Sequence, residues 1–324
     1  MSLGEFDLIS RFFLRPEGQG PRRAQVGNGD DCAVIAPAAG HHIALSTDTL
    51  VEGRHFLSTV DPARLGHKSL AVNLSDLAAA GARPLGFTLA LTLPRADATW
   101  LEGFSQGLLA LADAHDCELI GGDTTAGPLT IGITVLGEVP AGGALLRHGA
   151  RPGHELWVSG QPGEARLALE AFRGTLRLSA DDFQTTRDRM ECPTPRVALG
   201  LALRGVASAA IDVSDGLLGD LGHILRRSGV GATLHTERLP RSACLARQPG
   251  ALQLDMLLAG GDDYELLFTA PAQADAQVLE AARRAAVPVC RVGRITAGAG
   301  LLVRDAAGQP LDLRGLASYD HFAA

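Results

Sequence analysis

The chain has 324 residues, of which 46% are apolar and 20% are charged, and its formal net charge is −7. This length predicts two domains, and this composition is typical of a globular protein and excludes general disorder. The sequence contains no stretch of about 18 uncharged apolar residues, so no membrane-spanning helix is expected. The first ten residues carry two acidic and no basic side chains, so no secretory signal is expected either.

Charge is unevenly distributed between the halves of the chain. Residues 1–150 carry 10 basic and 16 acidic side chains, a net charge of −6, against 19 and 20 in residues 151–324, a net charge of −1. Lys68 is the only lysine, and 23 of the 36 acidic residues are aspartate. No basic stripe is present, so nucleic acid is not an expected partner. An excess of aspartate is typical of turns and helix caps, but carboxylate oxygen is also the ligand that Mg²⁺ prefers.

Five cysteines are scattered along the chain: Cys32, Cys117, Cys192, Cys244 and Cys290. Their number is odd, and no two have the spacing of a CxxC pair or a zinc site. Reduced thiols in a cytoplasmic protein are therefore expected.

Hydrophobic periodicity predicts an α/β (α+β) fold of two α/β domains, residues 1–148 and 149–324. Helices are predicted at 4–15, 62–80 (capped by Asp61), from Asp97 to about 115, at 163–173, after Pro195, at 217–228 and at 272–286. Strands are predicted at 32–36, 41–47, 85–93, 118–120, 129–139, within 149–160, and at 208–212, 231–235, 264–270 and 288–295. Segments 48–60 and 174–192 are expected to be irregular connections.

Five acidic segments share one layout, in which an apolar strand is followed by a small residue and then by aspartate. They are 29–31, 46–48, 121–125, 212–216 and 260–265. Any one of them alone is typical of ordinary turn chemistry. Five in one chain, each beside a predicted strand, favour a ligand site, because ligands of open α/β sheets bind outside the strand ends.

The predicted helix 62–80 carries a polar stripe on an otherwise apolar surface. Ser69, Asn73 and Asp76 are spaced as i, i+4 and i+7 and therefore share one face. A buried aspartate must be hydrogen-bonded or bind a metal, because an isolated buried charge costs several kcal/mol. Asp76 is therefore either a structural cap for a neighbouring turn or a metal ligand.

The usual nucleotide-binding motifs are missing from the sequence. No GxxxxGK[ST] loop occurs, and the nearest segment, 66–69, lacks the adjacent Gly-Lys pair. The protein-kinase motifs are absent as well. An ATP-using enzyme with a single lysine would have to neutralise phosphate chiefly with metal ions, which agrees with the surplus of aspartate.

Seven motifs along the chain resemble, in matching order, those of the thiamine-monophosphate kinases. They are GDDCAV (29–34), STDTLVEGRHF (46–56), GHKSLAVNLSDLAAAGA (66–82), GGDTT (121–125), DVSDGL (212–217), GGDDYEL (260–266) and YDHF (319–322). DVSDG and GGDTT indicate only the wider superfamily of aminoimidazole ribonucleotide and selenophosphate synthetases. STDTLVEGRHF together with NLSDLAA is more specific to the kinases.

This resemblance implies a homodimer whose N-terminal mixed sheets pair across the two-fold axis. It implies ATP as co-substrate, several Mg²⁺ ions, and direct transfer of the γ-phosphoryl group to thiamine monophosphate. By motif position, the metal ligands would be Asp31, Ser46, Thr47, Asp48, Asp76, Asp123, Asp212 and Asp215. The ATP contacts would be Gly122, Asp123, Arg147 and Ser214, and the substrate contacts would be His55, Asp262 and Tyr319.

Several of these positions have a second interpretation. Asp30 and Asp31 are adjacent, so only one of them is expected to face a metal, and Asp30 could simply hold the turn. Asp262 stands where the kinases usually have glutamate, so Asp263 or a water could make that contact. His55 and Arg147 could be ordinary surface residues, although Arg147 also offers a planar fork for phosphate. Tyr319 lies near a chain end, yet its ring could stack on a cationic thiazolium.

The sequence therefore predicts an ATP- and Mg²⁺-dependent thiamine-monophosphate kinase without a protein nucleophile. Three alternatives remain open at this level. They are another ATP-dependent synthetase of the same superfamily, a Mg²⁺-dependent phosphatase, and a metal-binding module without enzymatic activity.

Overall fold

The computed structural model describes residues 4–16, 18–20, 22–316 and 318–319. The chain divides into two compact units, one formed by 1–77 and 82–142 and the other by 78–81 and 143–324. The predicted domain limits, 1–148 and 149–324, remain a prediction. No helix in the described part of the chain is long and apolar enough to cross a membrane.

Helices and strands are interspersed in both units, which confirms the predicted α/β class. The helices are α1 (Glu5–Phe12), α2 (Pro62–Ala79), α3 (Ala98–Ala114), α4 (Glu164–Phe172), α5 (Ala180–Glu191), α6 (Val197–Leu203), α7 (Leu217–Ser228), α8 (Ala243–Ala246), α9 (Gly250–Ala259) and α10 (Asp275–Ala285). The strands are β1 (His41–Val51), β2 (Arg83–Leu93), β3 (Glu118–Ala126), β4 (Thr130–Pro140), β5 (Glu155–Ser159), β6 (Ala209–Val213), β7 (Gly231–His235), β8 (Glu265–Ala270), β9 (Val289–Thr296) and β10 (Gly300–Arg304).

The first unit contains a four-stranded mixed sheet with the order β1-β4-β2-β3. β4 is antiparallel to β1 and β2, whereas β3 is parallel to β2. Alternate residues of β2 and β4 are buried on one face, as expected for a period of two. Helices α2 and α3 approach each other closely: a Cβ on Gly107 would lie 1.8 Å from the Ala63 carbonyl oxygen. Glycine is therefore required at this helix crossing.

The second unit contains a six-stranded sheet with the order β10-β7-β9-β5-β8-β6. Its edge strand β6 is antiparallel to β8, so the end of β6 lies beside the start of β8. All five residues of β6 are buried, and α7 follows this strand directly after the turn at 214–216. Leu217, Leu221 and Ile224, at helical spacing on α7, belong to the same apolar core. This arrangement places the turn at the edge of the sheet.

Four local predictions were wrong, each for a physical reason. Segment 32–36 is not a strand: Val34 makes only an isolated bridge and is 46% exposed, so no buried face stabilises pairing. Segment 48–60 is not wholly irregular, because β1 continues through Val51. The GGDTT segment, 121–125, is not a turn but lies inside β3. Segment 174–192 contains α5, a polar helix whose N-cap Ser179 accepts a hydrogen bond from the Asp182 N–H.

Candidate functional site

The first group of predicted ligands lies where β1 faces α2. Ser46 and Asp48 alternate with exposed residues along β1, so both side chains point to the same face of the sheet. The Ser46 hydroxyl donates to Asp76 Oδ2, and the Asp48 N–H donates to Asn73 Oδ1 at 3.2 Å. The predicted polar stripe of α2 therefore does lie against β1. We call Ser46, Asp48 and Asp76 the β1–α2 cluster.

Thr47 and Asp123 lie on the opposite face of the same sheet. Thr47 pairs with Thr134, and their hydroxyl oxygens are 2.8 Å apart. Asp123 pairs in register with Ala90, an exposed residue of β2 on this open face. Strand alternation therefore directs the Thr47 side chain to the face of the sheet opposite Asp48 and the β1–α2 cluster.

Asp31 lies in a loop held against β3. Asn28 donates from Nδ2 to the Leu119 carbonyl oxygen at 2.9 Å. Asp30 accepts the Asp31 N–H at 2.9 Å, so its side chain stabilises the turn and leaves Asp31 exposed. Because β1 and β3 are opposite edges of the sheet, Asp123 is three strand spacings, about 14 Å, from Asp48. The structure thus separates the first-unit carboxylates into two groups rather than one.

His55 and Gly122 occupy constrained positions beside these groups. His55 lies in the turn after β1, where its Nδ1 accepts the Val51 N–H at 2.9 Å. A neutral ring held in this way carries its proton on Nε2. Gly122 has a φ of 152°, and a Cβ there would lie 2.0 Å from the Leu89 carbonyl oxygen. Only glycine fits at position 122 next to β2.

The donors of the first unit suit Mg²⁺ in their chemistry. Asp48 and Asp76 supply two carboxylates and Ser46 supplies a hydroxyl, and hard oxygen ligands of this kind are what Mg²⁺ prefers. Among the described residues, no three His, Cys, Asp or Glu side chains form a complete metal cage.

The second unit brings its predicted residues together around the turn at 214–216. The Asp262 N–H donates to the Ser214 carbonyl oxygen at 2.7 Å, and the Tyr319 N–H donates to that of Asp215 at 2.9 Å. Asp212, at the buried end of β6, leads into the same turn. A Cβ on Gly261 would lie 2.4 Å from the Ser214 oxygen, so the two loops touch through their backbones. Residues distant in sequence therefore share one small site.

Asp220 stabilises this turn from inside and was not predicted from the sequence. It is 3% exposed, and its Oδ2 accepts the N–H groups of Ser214, Asp215 and Gly216 at 3.1, 3.2 and 3.2 Å. Burial, followed by the nearby charge of Asp215, raises the pKa of Asp220 to about 7. The available sequence signal was an acidic residue in the first turn of a helix that lacks an N-cap side chain.

The loop that carries Asp262 is held by a buried ion pair, also missed from the sequence. Arg196 donates two hydrogen bonds to Glu265, at 2.7 and 2.5 Å, and the Ser159 hydroxyl donates to the same carboxylate. Asp262 and Tyr264 have φ values of 70° and 52°, a conformation rare outside glycine. These contacts hold the loop in an unfavourable backbone conformation, which is common at ligand sites.

Asp263 is engaged away from the turn. Both of its carboxylate oxygens accept the Gly163 N–H, at 2.8 and 2.9 Å. Burial of this carboxyl, opposed by that hydrogen bond, raises the pKa of Asp263 well above its usual value. Asp263 is thus committed to the start of α4, which leaves Asp262 as the carboxylate of this loop at the turn.

Arg147 lies on the flank of α7. Its carbonyl oxygen accepts from the Ser228 hydroxyl at 3.4 Å, and its side chain is exposed. The pKa of His223 is lowered by burial and by the positive charges of Arg226 and Arg147, whereas Asp215 raises it. Arg147 and Asp215 therefore both act electrostatically on His223 of α7, a residue for which the sequence predicted no role.

Comparison with known proteins identifies the family of this arrangement. Residues 29–139 match the N-terminal domain, and residues 151–305 the C-terminal domain, of the AIR synthase related proteins. The chain is 46% identical over 327 residues to the thiamine-monophosphate kinase of Salmonella typhimurium, covering 100% of this chain and 99% of that one. The Escherichia coli K12 thiamine-monophosphate kinase is 45% identical with the same coverage.

Solved structures agree with the sequence comparison. A thiamine-monophosphate kinase from Stenotrophomonas maltophilia K279a superposes with a TM-score of 0.86 at 45% identity, covering 96% of this chain and 99% of that one. AaThiL, complexed with AMPPCP and TMP, superposes with a TM-score of 0.77 at 28% identity, covering 89% of each chain. Because the sequence similarity extends over the full length and both domains are matched, the chain belongs to the thiamine-monophosphate kinase family of AIR-synthase-related enzymes.

Proposed function

We propose that this kinase transfers the γ-phosphoryl group of ATP directly to the phosphate of thiamine monophosphate, giving thiamine diphosphate and ADP. The full-length similarity to thiamine-monophosphate kinases carries this proposal. The relative complexed with AMPPCP and TMP supports ATP and thiamine monophosphate as the two substrates. The turn at 214–216 supports it further, because one predicted ATP contact, Ser214, and two predicted substrate contacts, Asp262 and Tyr319, converge there.

The substrates themselves supply the reacting groups. A phosphate oxygen of thiamine monophosphate forms the new bond to the γ-phosphorus, and the bond from that phosphorus to the ADP oxygen breaks. A phosphate monoester is largely ionised near neutral pH, with a second pKa of about 6, so no protein base is needed. The role of this chain is to position the two phosphates in line.

Each substrate contact follows from the chemistry of one side chain. Gly122 would contact ATP through its backbone, and Arg147 offers a planar guanidinium fork for phosphate. His55, whose Nδ1 accepts the Val51 N–H, would contact thiamine monophosphate through its ring. Tyr319 offers an aromatic face to the cationic thiazolium ring.

Several Mg²⁺ ions are part of the proposal. The residues that would hold them are Asp31, Ser46, Thr47, Asp48, Asp76, Asp123, Asp212 and Asp215. When bound, the ions would neutralise the negative charge of the phosphates. Lys68 is 3% exposed on α2 and is not assigned to this task.

A homodimer is the second element of the proposal. One face of the first-unit sheet is open: Leu45 is 64% exposed and Ile43 is 40% exposed, and both lie on β1. Pairing of two such faces would bury this apolar surface. In this arrangement residues 1–148 bind ATP and Mg²⁺ and dimerise, and residues 149–324 complete the site. The free cysteines fit a cytoplasmic location.

Turnover by the purified protein tests the assignment. ATP, Mg²⁺ and thiamine monophosphate should give equal amounts of ADP and thiamine diphosphate, with only background ADP when the acceptor is omitted. Thin-layer chromatography of other acceptors would detect a synthetase of the same superfamily. Release of inorganic phosphate without ATP would indicate a phosphatase, and Mg²⁺ binding without turnover would indicate a binding module.

A further inference from the structure

Helix α7 receives its N-terminal cap from the far end of the chain. Its own N-cap residue, Gly216, has no side chain to accept the first free N–H groups. The N–H of Gly219, the third residue of the helix, donates instead to the Ser318 hydroxyl oxygen at 2.9 Å. An N-cap serine would normally make this bond to the second or third helical residue. Ser318 thus acts as the cap, although it lies about a hundred residues further along the chain.

The next residue binds the turn itself. The Tyr319 N–H donates to the Asp215 carbonyl oxygen at 2.9 Å. Two consecutive residues, Ser318 and Tyr319, therefore hold the helix start and the preceding turn at once. We call Gly219, Ser318 and the Tyr319 N–H the C-terminal clasp. Its partner on the inner side is Asp220, which binds the same turn.

Gly219 is required by the space that Ser318 occupies. A Cβ at position 219 would lie 2.5 Å from the Ser318 Oγ and 2.7 Å from its Cβ. The backbone itself does not require glycine, because Gly219 is not among the residues with positive φ. Glycine inside a helix costs about 0.5–1 kcal/mol relative to alanine. The close approach of Ser318 is thus the reason that the structure gives for glycine at this position.

The clasp sets the place of the Tyr319 ring. Tyr319 is 45% exposed, so its side chain is accessible to a ligand. Its backbone is fixed by the clasp, next to the turn that also binds the Asp262 loop. A shift of Ser318 would therefore move the ring relative to both.

We propose that Gly219 and Ser318 are positioning residues for acceptor recognition: the clasp holds Tyr319 where its ring meets the thiazolium of thiamine monophosphate. This inference rests on the proposed function. Neither residue touches substrate, and both act through Tyr319. The clasp makes the affinity for the acceptor depend on the contact between Gly219 and Ser318.

Steady-state kinetics of five variants test the clasp. Gly219→Ala and Ser318→Ala should each raise the KM for thiamine monophosphate about five- to tenfold, approaching the effect of Tyr319→Ala, with the KM for ATP within about twofold. Ser318→Thr keeps the hydroxyl and should restore most of the affinity. Gly222→Ala is the matched control on the same helix, because a Cβ there would meet only the flexible end of Arg226, at 3.1 Å.

The melting temperature separates positioning from a general loss of stability. Alanine favours a helix over glycine, so Gly219→Ala should not melt below wild type even though its acceptor KM rises. Combining Gly219→Ala with Ser318→Ala should give little more than either change alone, because both break one contact. Equal rises in both KM values, or an unchanged acceptor KM in Gly219→Ala, would overturn the clasp while leaving the kinase assignment intact. A wild-type protein that does not phosphorylate thiamine monophosphate would overturn the proposed function and the clasp with it.

Discussion

The two units present their candidate ligands in different ways. In the first unit, Ser46, Asp48 and Asp76 project from regular elements, a strand and a helix that face each other. In the second unit, Ser214, Asp215 and Asp262 lie on turns whose backbones are held by buried polar groups. Substitutions in the first unit should therefore change metal binding without unfolding the chain. Substitutions of those buried polar groups in the second unit should affect stability and ligand binding together, because the same contacts serve both.

The sharpest test of the first unit is Asp76→Asn. This change keeps the side-chain shape and removes one charge from the β1–α2 cluster. Activity should fall by about two to three orders of magnitude, with a larger Mg²⁺ requirement, if Asp76 helps to hold the metal. The protein should stay folded, and its melting temperature without metal should be unchanged or higher, because neighbouring carboxylates repel each other.

An activity titration in Mg²⁺, paired with melting curves with and without the ion, measures both effects of Asp76→Asn. Ser69→Ala is the control on the same polar stripe, because the Ser69 hydroxyl donates within α2, to the Leu65 carbonyl oxygen at 2.7 Å. A destabilised but fully active Asp76→Asn would reassign this residue to a structural cap.

The second unit should respond in the opposite way at Glu265. Glu265→Gln leaves the partly buried Arg196 cation without its counter-charge, and breaking a buried ion pair costs about 3–5 kcal/mol. At about 2–4 °C per kcal/mol, the melting temperature should drop by about 10 °C. The exposed Glu280–Arg283 pair on α10 provides the matched control, and Glu280→Gln should leave the melting temperature unchanged.

Replacing both partners, as Glu265→Gln with Arg196→Met, should recover part of the stability lost in Glu265→Gln, since neither position of the pair then carries a charge. A melting temperature for Glu265→Gln equal to that of Glu280→Gln would show that this ion pair does not hold the Asp262 loop.

A smaller effect is expected at Arg147, which is exposed on the flank of α7. Arg147→Lys keeps the charge but loses the planar fork, so the Kd for ATP should rise about three- to tenfold. The Kd for thiamine monophosphate should not change. Calorimetric titration with each substrate measures both values, and Arg151→Lys is a nearby exposed control. An unchanged ATP Kd would show that Arg147 is an ordinary surface residue that does not contact ATP.

Regular elements with clear ends were predicted well from the sequence. Asp61 and Asp97 each accept N–H groups at the start of a helix, and α7 and β7 have the predicted limits. The stripe through Asp76 was visible because helical spacing alone puts its members on one face. The sequence pattern and the structure agree at these positions because the geometry of each feature depends on a single helix or strand.

The parts that failed depend on contacts between distant segments. Nothing near Glu265 in the sequence indicates Arg196, and nothing near Gly219 indicates Ser318. The GGDTT segment has turn composition, yet pairing with β2 extends β3 through it. Strand order was equally hidden, and it is strand order that separates Asp123 from Asp48. Tertiary pairing, not local propensity, decides these features.

The last prediction concerns pH and Asp220. Its pKa is raised to about 7 in the folded chain, first by burial and then by Asp215, from an ordinary value of 3.8. Between these two values the folded state keeps a proton that the unfolded state releases. The free energy of unfolding should therefore fall as pH rises from about 4 to about 7, and the contribution of the proton is lost above that range.

Asp220→Asn removes this titration while its amide oxygen can still accept the three N–H groups of the turn. Its melting temperature, measured without Mg²⁺, should gain about 10 °C on wild type between pH 4 and pH 7, because a pKa of about 7 in place of 3.8 corresponds to about 4 kcal/mol. For Asp181→Asn, at an exposed site on α5, the melting temperature should change with pH in parallel with that of wild type. Parallel curves for Asp220→Asn would show that the turn does not hold a proton. A gain with rising pH would show that the second unit loses stability when the buried Asp220 ionises beneath the turn at 214–216, whereas the carboxylates of the β1–α2 cluster are only half-buried.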